Sequence, residues 1–311
     1  MDAQSKDAKD EGAPDQAMPD GVAISDAQLP LPIFTPPSEG EAITSEVTRN
    51  TYRIGRVIGS GNFGVVYECS DTWNNQLAVK VLQPKGTYEH IRDQALAEYQ
   101  KLLMLRHPNI TYVFDAFEYR HTFYIVFERC AQSIGDMIQR ENFSGRLWLP
   151  AISRCVLQAV HFIHVNGLAH QDIHAGNVLS RWIEDEMLPK EHSAITFKVA
   201  DLGISKLVSE MDAANTILAD WMRAPESLNP QEFGTMDHRM DIYHCGLLFL
   251  QVLLGRALIF TQDEVLAGGP RNLALELEQP YRTALEKALR RHVDFRTASA
   301  LELWRDLNSP A

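Results

Sequence analysis

Apolar and polar residues alternate along several short stretches in the first half of the chain. The alternation over residues 52–67 predicts two β-strands joined by a glycine turn, and residues 77–82 form a third apolar stretch of strand length. Residues 111–127 predict two further strands, and residues 197–200 predict another one later in the chain. The first half of the chain is therefore expected to be rich in β-structure.

Helical spacing of apolar residues predicts most of the remaining elements. Residues 88–105 predict one helix inside the strand-rich half, and residues 133–139 begin a mainly helical part. Residues 149–165 predict a long amphipathic helix. Residues 246–260 form the most apolar run, which contains a glutamine and an arginine and is too short to span a bilayer. It is interpreted as a core helix, so the fold class is α+β.

The first 48 residues differ from the rest in composition. They lack Trp and Tyr and hold six of the fifteen prolines, so they are expected to be a disordered tail. Within them, residues 29–37 form an apolar, Pro-rich island that is interpreted as a stiff linker. Ten acidic residues and two lysines give the first 46 residues a charge of −8, which leaves −4 of the total −12 for the remainder.

The charge and cysteine content of the remainder exclude some classes of protein. A nearly balanced charge gives no indication of nucleic-acid binding. The four cysteines are far apart and show no metal-binding spacing, which favours free thiols in a reducing cytoplasm. The polar, acidic N-terminus is not a signal peptide, and no membrane span is predicted.

A glycine-rich turn lies between the first two predicted strands. It reads Gly59-x-Gly61-x-x-Gly64-x-Val66, and glycines allow backbone N–H groups to approach phosphates closely. The same glycine spacing also occurs in dinucleotide-binding proteins, where a helix follows at once. Here an apolar strand pattern follows the glycines, which favours a flap over a nucleotide.

A second motif lies near the middle of the chain, between His170 and Asn177. Asp172 is followed five residues later by Asn177, and apolar residues come directly afterwards. Such a loop suits phosphoryl transfer, because the acid can orient an attacking hydroxyl and the amide oxygen can reach a magnesium ion. Taken alone the pattern is weak, since His, Asp and Asn often occur as simple turn residues.

Lys80 lies in an apolar strand and needs a negatively charged partner. Burying a lysine without such a partner is costly. Glu98 shares one face of the predicted helix 88–105 with apolar residues, so it points inward and is the expected partner.

Five motifs in this order resemble those of the protein kinase family. They are the glycine turn, Ala78-Val79-Lys80, the loop from His170 to Asn177, Asp201-Leu202-Gly203 and Ala224-Pro225-Glu226. The resemblance covers residues 52 to about 307. It implies a bilobal fold with a β-rich N-lobe of residues 49–130, which contains one helix, and a mainly helical C-lobe of residues 131–311.

The resemblance also implies an ATP site between the lobes. Asp172 would orient the nucleophile, Lys80 held by Glu98 would bind phosphates, and Asn177 and Asp201 would hold Mg²⁺. The remaining nucleotide-binding positions are Ile58, Gly59, Gly61, Gly64, Val66, Ala78, Glu128, Cys130 and Leu179. Glu226 is expected to pair with Arg296, and Asp241 to hold the backbone of the catalytic loop.

Three positions depart from the family pattern. Gln171 stands where the family usually has an arginine, and His174 stands where Ser/Thr kinases have a lysine. Ala219 replaces a threonine that commonly contacts that lysine. A histidine can still donate a hydrogen bond, so weakened but not absent chemistry is expected.

The expected function is therefore transfer of the γ-phosphoryl group of Mg-ATP to a Ser or Thr hydroxyl of a protein substrate. One alternative is a pseudokinase that acts as a scaffold, which is disfavoured because Lys80, Glu98, Asp172, Asn177 and Asp201 are all present. A small-molecule phosphotransferase is suggested by His174. It is disfavoured by Glu226 and Arg296.

Overall fold

A computed structural model gives the three-dimensional structure of most of the chain. The described residues all lie within the compact unit Phe34–Ala311. They are residues 35–61, 64–83, 93, 99, 105–183, 187, 194–202, 206–207, 211 and 223–309.

The N-lobe contains a six-stranded antiparallel sheet in the order β1-β2-β3-β4-β6-β5. The predicted strands are all present, with bounds close to those expected from the alternating pattern. The strands of the sheet are β1 (Ala42–Thr44), β2 (Thr51–Gly61), β3 (Gly64–Ser70), β4 (Gln76–Leu82), β5 (Val113–Tyr119) and β6 (Thr122–Glu128).

The two faces of this sheet pack differently. One face forms a separate core of the N-lobe, in which the rings of Tyr52, Phe117 and Tyr124 stack with centroids 5.9 and 5.5 Å apart. Residues that alternate with this core point to the opposite face, where Val66 pairs across from Lys80. The alternation in the sequence therefore separates a packed face from a face that lines the cleft.

Strand β1 corrects the predicted extent of the N-terminal tail. Residues 1–34 of the predicted tail lie outside the described residues, but Ala42–Thr44 pair with β2 and extend the sheet. Ile43 is buried in the N-lobe core, and Ser45 is also buried. The prediction that the tail continues to residue 48 is therefore wrong, because one buried apolar residue is enough to anchor a three-residue strand whose other two residues are exposed.

The C-lobe is mainly helical. Two short antiparallel sheets, β10-β9-β7 and β11-β8, lie within it. Their strands are β7 (Gln132–Ser133), β8 (Leu168–Ala169), β9 (Val178–Ile183), β10 (Ala194–Val199) and β11 (Lys206–Leu207). The helices are α1 (Ile134–Ile138), α2 (Gly145–Val165), α3 (Pro225–Leu228), α4 (Pro230–Phe233), α5 (Arg239–Leu254), α6 (Gln262–Leu266), α7 (Gly269–Ala274), α8 (Tyr281–Ala288) and α9 (Ala300–Leu307), with a 3₁₀ turn at Val293–Phe295.

Helices α2 and α5 form the centre of the C-lobe. They approach so closely that a Cβ atom on Gly145 would lie 1.9 Å from the carbonyl oxygen of Val252. Glycine is therefore the residue that fits there. Helix α5 is almost entirely buried, and Gly255 ends it with a φ of 61°. The predicted helix at residues 246–260 is thus displaced, because the buried polar residues before Gly246 also belong to the helix.

Two other predicted segments are only partly described. The helix predicted at residues 88–105 lies mostly outside the described residues, although Asp93 and Tyr99 are helical. The charged and mixed stretch 182–193 is expected from its sequence to be an inserted surface loop, but its first two residues belong to strand β9, and most of the others lie outside the described residues. No helix in the described ranges is long and apolar enough to cross a membrane.

Candidate active site

The loop after β8 carries Asp172 and is held by Asp241 of helix α5. The carboxylate of Asp241 accepts hydrogen bonds from the backbone N–H groups of His170 and Gln171, at 2.8 and 2.7 Å. Gln171 has a φ of 70°, an unfavourable conformation for a residue with a side chain. These two hydrogen bonds hold the backbone in that turn, so the predicted contact between Asp241 and this loop is present in the structure.

His164 completes the surroundings of Asp241. Its Nε2 atom lies 2.8 Å from Oδ2 of the carboxylate. Burial alone would raise the pKa of Asp241, but His164 and the nearby His170 and His244 lower it to about 2. No motif in the sequence singles out His164. A fully buried carboxylate needs donors beyond two backbone N–H groups, which is the physical reason to expect such a partner near Asp241.

Asp172 is oriented by Asn177, as the spacing of the two residues suggests. The Asn177 amide donates to the Asp172 backbone oxygen at 3.0 Å and to its Oδ2 atom at 2.9 Å. Burial raises the pKa of Asp172, but the adjacent His174 and two other imidazoles outweigh it and leave this pKa below its ordinary value. The carboxylate is therefore ionised near neutral pH and can accept a proton.

Lys80 and Asp201 form an ion pair across the cleft. Lys80 Nζ lies 2.9 Å from Asp201 Oδ1, and the side chains are 9% and 33% exposed. Burial raises the pKa of Asp201, but the lysine charge outweighs this effect and lowers it. Asp201 also has a φ of 63°, which places it in the left-handed region. Glu98 lies outside the described residues, so its pairing with Lys80 stays a prediction.

Backbone contacts join the strand that carries Asp201 to the catalytic loop. The N–H of Ala200 donates to the carbonyl of Asn177 at 2.8 Å. His170 accepts from the N–H of Asp172 at Nδ1, so its Nε2 atom donates to the Ala200 carbonyl at 3.1 Å. These bonds bring Asp172, Asn177 and Asp201 together from two separate segments.

The sheet places several predicted nucleotide-binding residues on the cleft side. Val66 lies across from Lys80, and Ala78 lies across from Phe127 in the neighbouring strand. Ile58 is 39% exposed, while Leu179 is half-buried. Their contact with a nucleotide stays a prediction.

The glycines of the turn differ in what surrounds them. A Cβ atom on Gly61 would meet nothing within 4 Å, and one on Gly59 would only touch Val66. In contrast, a Cβ atom on Gly64 would lie 2.3 Å from the carbonyl oxygen of Val81. Gly64 is therefore required for strand packing, whatever its role towards phosphates.

The side chain of Glu128 is turned away from solvent at the junction between the lobes. It accepts a hydrogen bond from the N–H of Tyr112 at 2.7 Å, lies 2.6 Å from Lys198 Nζ and also contacts Arg181. These contacts occupy the carboxylate of Glu128, so the nucleotide-binding roles of Glu128 and the half-buried Cys130 stay predictions. Lys198 and Arg181 could not be identified from the sequence, because their contacts with Glu128 depend on strand pairing between distant residues.

Glu226 and Arg296 form the predicted ion pair in the C-lobe. Both side chains are completely buried, and the guanidinium binds the two carboxylate oxygens at 2.7 Å each. Arg296 also donates to three backbone carbonyl groups, so its charge is well satisfied.

The positions that depart from the family pattern fall partly within the described residues. His174 Nε2 lies 3.7 Å from Asp172 Oδ2. Both polar atoms of the Gln171 side chain are buried and find no hydrogen-bond partner within the described part of the chain. Ala219 lies outside the described residues, as does most of the segment between Asp201 and Arg223.

A β-rich lobe and a helical lobe with lysine, aspartate and asparagine side chains between them define a kinase-like bilobal protein. A sequence profile of the protein kinase domain matches residues 52–294, more than three quarters of the chain. The chain therefore belongs to the protein kinase family, and the predicted family and fold are confirmed.

Several curated kinases are similar to the chain. Human cyclin-dependent kinase-like 4 is 28% identical over 64% of this chain and 50% of its own length. Mouse serine/threonine-protein kinase TAO3 is 28% identical over 68% of this chain and 22% of its own length. Cyclin-dependent kinase D-1 of Arabidopsis thaliana is 27% identical over 67% and 50% of the two chains. The matched region thus spans half or less of each relative.

Proposed function

We propose that the protein transfers the γ-phosphoryl group of Mg-ATP to a Ser or Thr hydroxyl of a protein substrate. The observation that carries the proposal is the convergence of Lys80, Asp172 and Asp201 on one cleft, with the Lys80–Asp201 contact at 2.9 Å. The Ser/Thr class is supported by the name of the similar TAO3 kinase. The chain covers only part of that relative, so this assignment depends on the site chemistry as well.

The donor atoms present fit a magnesium ion. The Asn177 amide nitrogen is engaged with Asp172, which leaves its Oδ1 atom as an acceptor for a cation. Asp201 is a carboxylate whose side chain is one third exposed beside Lys80. Two oxygen ligands from the protein, with the others from phosphates and water, are what Mg²⁺ usually takes. When bound, Mg-ATP supplies the phosphoryl group and the metal charge that offsets its negative charge.

The residues of the chain would then act by positioning and by charge. Lys80 would hold phosphate oxygens, and Asn177 and Asp201 would hold the metal. Asp172 would orient the substrate hydroxyl and accept its proton at Oδ1, because Oδ2 is engaged by Asn177. The left-handed turns at Gln171 and Asp201 are held by neighbouring hydrogen bonds and the lysine contact, so the groups are in place beforehand.

Two further inferences concern the surroundings of the enzyme. All four cysteines are unpaired, which supports a location in the reducing cytoplasm. The pair of Glu226 and Arg296, two positions of the family pattern that disfavour a small-molecule phosphotransferase, supports a protein as the substrate.

The test is a phosphoryl-transfer assay with labelled ATP, Mg²⁺ and a generic basic protein, followed by identification of the phosphorylated residue type. The parent protein should label Ser or Thr. Asp172→Asn should lower the rate by about 10²–10⁴-fold while nucleotide binding persists, because it removes the proton acceptor. Nucleotide binding without transfer would favour a pseudokinase. Transfer to aminoglycosides or other small alcohols, but not to protein, would favour a small-molecule phosphotransferase.

A further inference from the structure

The imidazole ring of His174 is held in one orientation by its own loop. The backbone N–H of Gly176 donates a hydrogen bond to Nδ1 of the ring at 3.0 Å. A ring nitrogen that accepts a hydrogen bond carries no proton, so the proton of the neutral ring lies on Nε2. His174 is therefore set up as a neutral donor through Nε2.

That donor faces the same oxygen of Asp172 that Asn177 already engages. The distance from Nε2 to Asp172 Oδ2 is 3.7 Å, and Asn177 Nδ2 lies 2.9 Å from Oδ2. The first distance is longer than a hydrogen bond, but such contacts commonly shorten when substrate binds. Two donors on Oδ2 leave Oδ1 as the oxygen that meets the substrate hydroxyl.

Gly176 provides the space that the ring occupies. A Cβ atom at this position would lie 2.8 Å from Cε1 and 3.0 Å from Nδ1 of His174. These separations are too short for a carbon atom, so any side chain at residue 176 would displace the imidazole. The hydrogen bond from the Gly176 N–H and the lack of a Cβ atom at Gly176 thus both keep the His174 ring in its position.

We propose that His174 is a positioning residue for Asp172, a neutral donor that keeps Oδ2 occupied and presents Oδ1 to the substrate. Residue 176 is glycine because any side chain there would displace this ring. The inference builds on the proposed kinase function. It assigns His174 to the carboxylate of the loop, so His174 does not replace a lysine charge on the phosphates.

Two substitutions of His174 separate its donor function from its shape. His174→Phe keeps a ring but has no donor, whereas His174→Gln can still donate from its amide. Loss of a hydrogen bond to a charged group corresponds to roughly tenfold or more in rate. We therefore expect kcat to fall about tenfold in the Phe variant and to stay within about threefold of the parent in the Gln variant, with the KM for ATP unchanged in both. A Phe variant as fast as the parent, or a rise in the KM for ATP at constant kcat, would overturn the proposal.

Gly176→Ala tests the same ring from a second position. It should lower kcat about tenfold in the parent but have little effect in the His174→Gln background, because the rigid ring is then absent. Gly135→Ala is the matched control, since its Cβ atom would make only ordinary contacts at 3.5 Å or more, two of them with backbone atoms of Ala175 in the catalytic loop. Equal losses from Gly176→Ala in both backgrounds would show that the glycine acts independently of His174.

Nitrogen NMR of the histidine side chains provides a readout that does not depend on activity. In the nucleotide-free protein the His174 signals should show the tautomer with the proton on Nε2, and Gly176→Ala should perturb them. A proton on Nδ1 would contradict the geometry. A parent protein that transfers no phosphate would instead overturn the kinase function and the catalytic value of the ring, while the NMR result would still decide its position.

Discussion

Two ion pairs of this protein have different surroundings, because one lies inside the C-lobe and the other joins the two lobes across the cleft. Arg296 and Glu226 are completely enclosed and joined by two contacts of 2.7 Å. Lys80 and Asp201 approach to 2.9 Å, and one third of the Asp201 side chain is exposed. The first pair is thus shut off from solvent, whereas the second is accessible to a ligand in the cleft.

This difference separates a structural pair from a functional one. A planar guanidinium that binds a carboxylate with both arms and also donates to backbone carbonyls recovers much of the cost of burial. A lysine has a compact charge with three donors, and it can contact a carboxylate and further oxygen atoms together. An ion pair at an active site should therefore be more exposed than one in a core, because a ligand has to reach it.

The largest expected effect follows from breaking the pair of Lys80 and Asp201. Lys80→Met should lower phosphoryl transfer by about 10²–10³-fold, because a preorganised charge is removed from the site. The melting temperature of this variant should change little. The assay combines initial rates with thermal unfolding of the same samples.

Lys198→Met is the matched control for that experiment. Lys198 is also a buried lysine in a strand, and its Nζ atom lies 2.6 Å from Glu128. Removing it leaves a buried carboxylate with less compensation, so stability should fall more than in Lys80→Met and activity should fall less. The reverse ranking would mean that the functional site is near Glu128 rather than near Asp201.

Breaking the pair of Glu226 and Arg296 should have the opposite effect, a large loss of stability and a small loss of activity. Glu226→Ala leaves the buried guanidinium of Arg296 without its carboxylate, and such changes cost about 3–5 kcal/mol of unfolding free energy. Urea unfolding would measure the loss, and kcat of the remaining folded protein should stay within a few-fold of the parent. A stable but inactive variant would place Glu226 in the catalytic machinery.

These two pairs also show what the sequence alone could predict. Arg296 and Glu226 were predictable as partners because the resemblance to the family implies this pair. The Lys80–Asp201 contact was not predicted, since a lysine in an apolar strand indicates only that some acid must be near. Contacts that depend on strand register, such as Glu128 with Lys198, need the three-dimensional pairing of residues 70 positions apart.

The same limit applies to element boundaries. Helix α5 begins at Arg239 although its first residues are polar, because Asp241 and His244 are buried by contacts from other segments. Strand β1 depends on Ile43, its only buried residue, which composition assigned to the tail. Local patterns predicted which elements exist, whereas tertiary contacts decided where they begin and end.

Asp241 provides an intermediate case, because it is as buried as Glu226 but held by histidine and backbone donors. Its pKa is lowered from 3.8 to about 2, so its ionised form stabilises the folded state above pH 4. That contribution of about 2 kcal/mol should be lost as the pH falls from 4 to 2. Asp241→Asn should therefore flatten the dependence of unfolding free energy on pH in this interval. An unchanged slope would show that other carboxylates dominate acid unfolding.

The smallest expected effect comes from an exposed ion pair with the same contact distance as Glu226 and Arg296. Arg146 and Glu278 also approach to 2.7 Å, yet their side chains are 68% and 71% exposed. Water and salt screen such a pair, so Glu278→Ala should cost about 0.5 kcal/mol or less, and less still at high salt. Compared with Glu226→Ala in the same urea series, it isolates the contribution of burial at equal contact distance. Similar losses of unfolding free energy for both variants would mean that distance alone sets the strength of these pairs. The distinction between buried and exposed ion pairs would then have no physical basis.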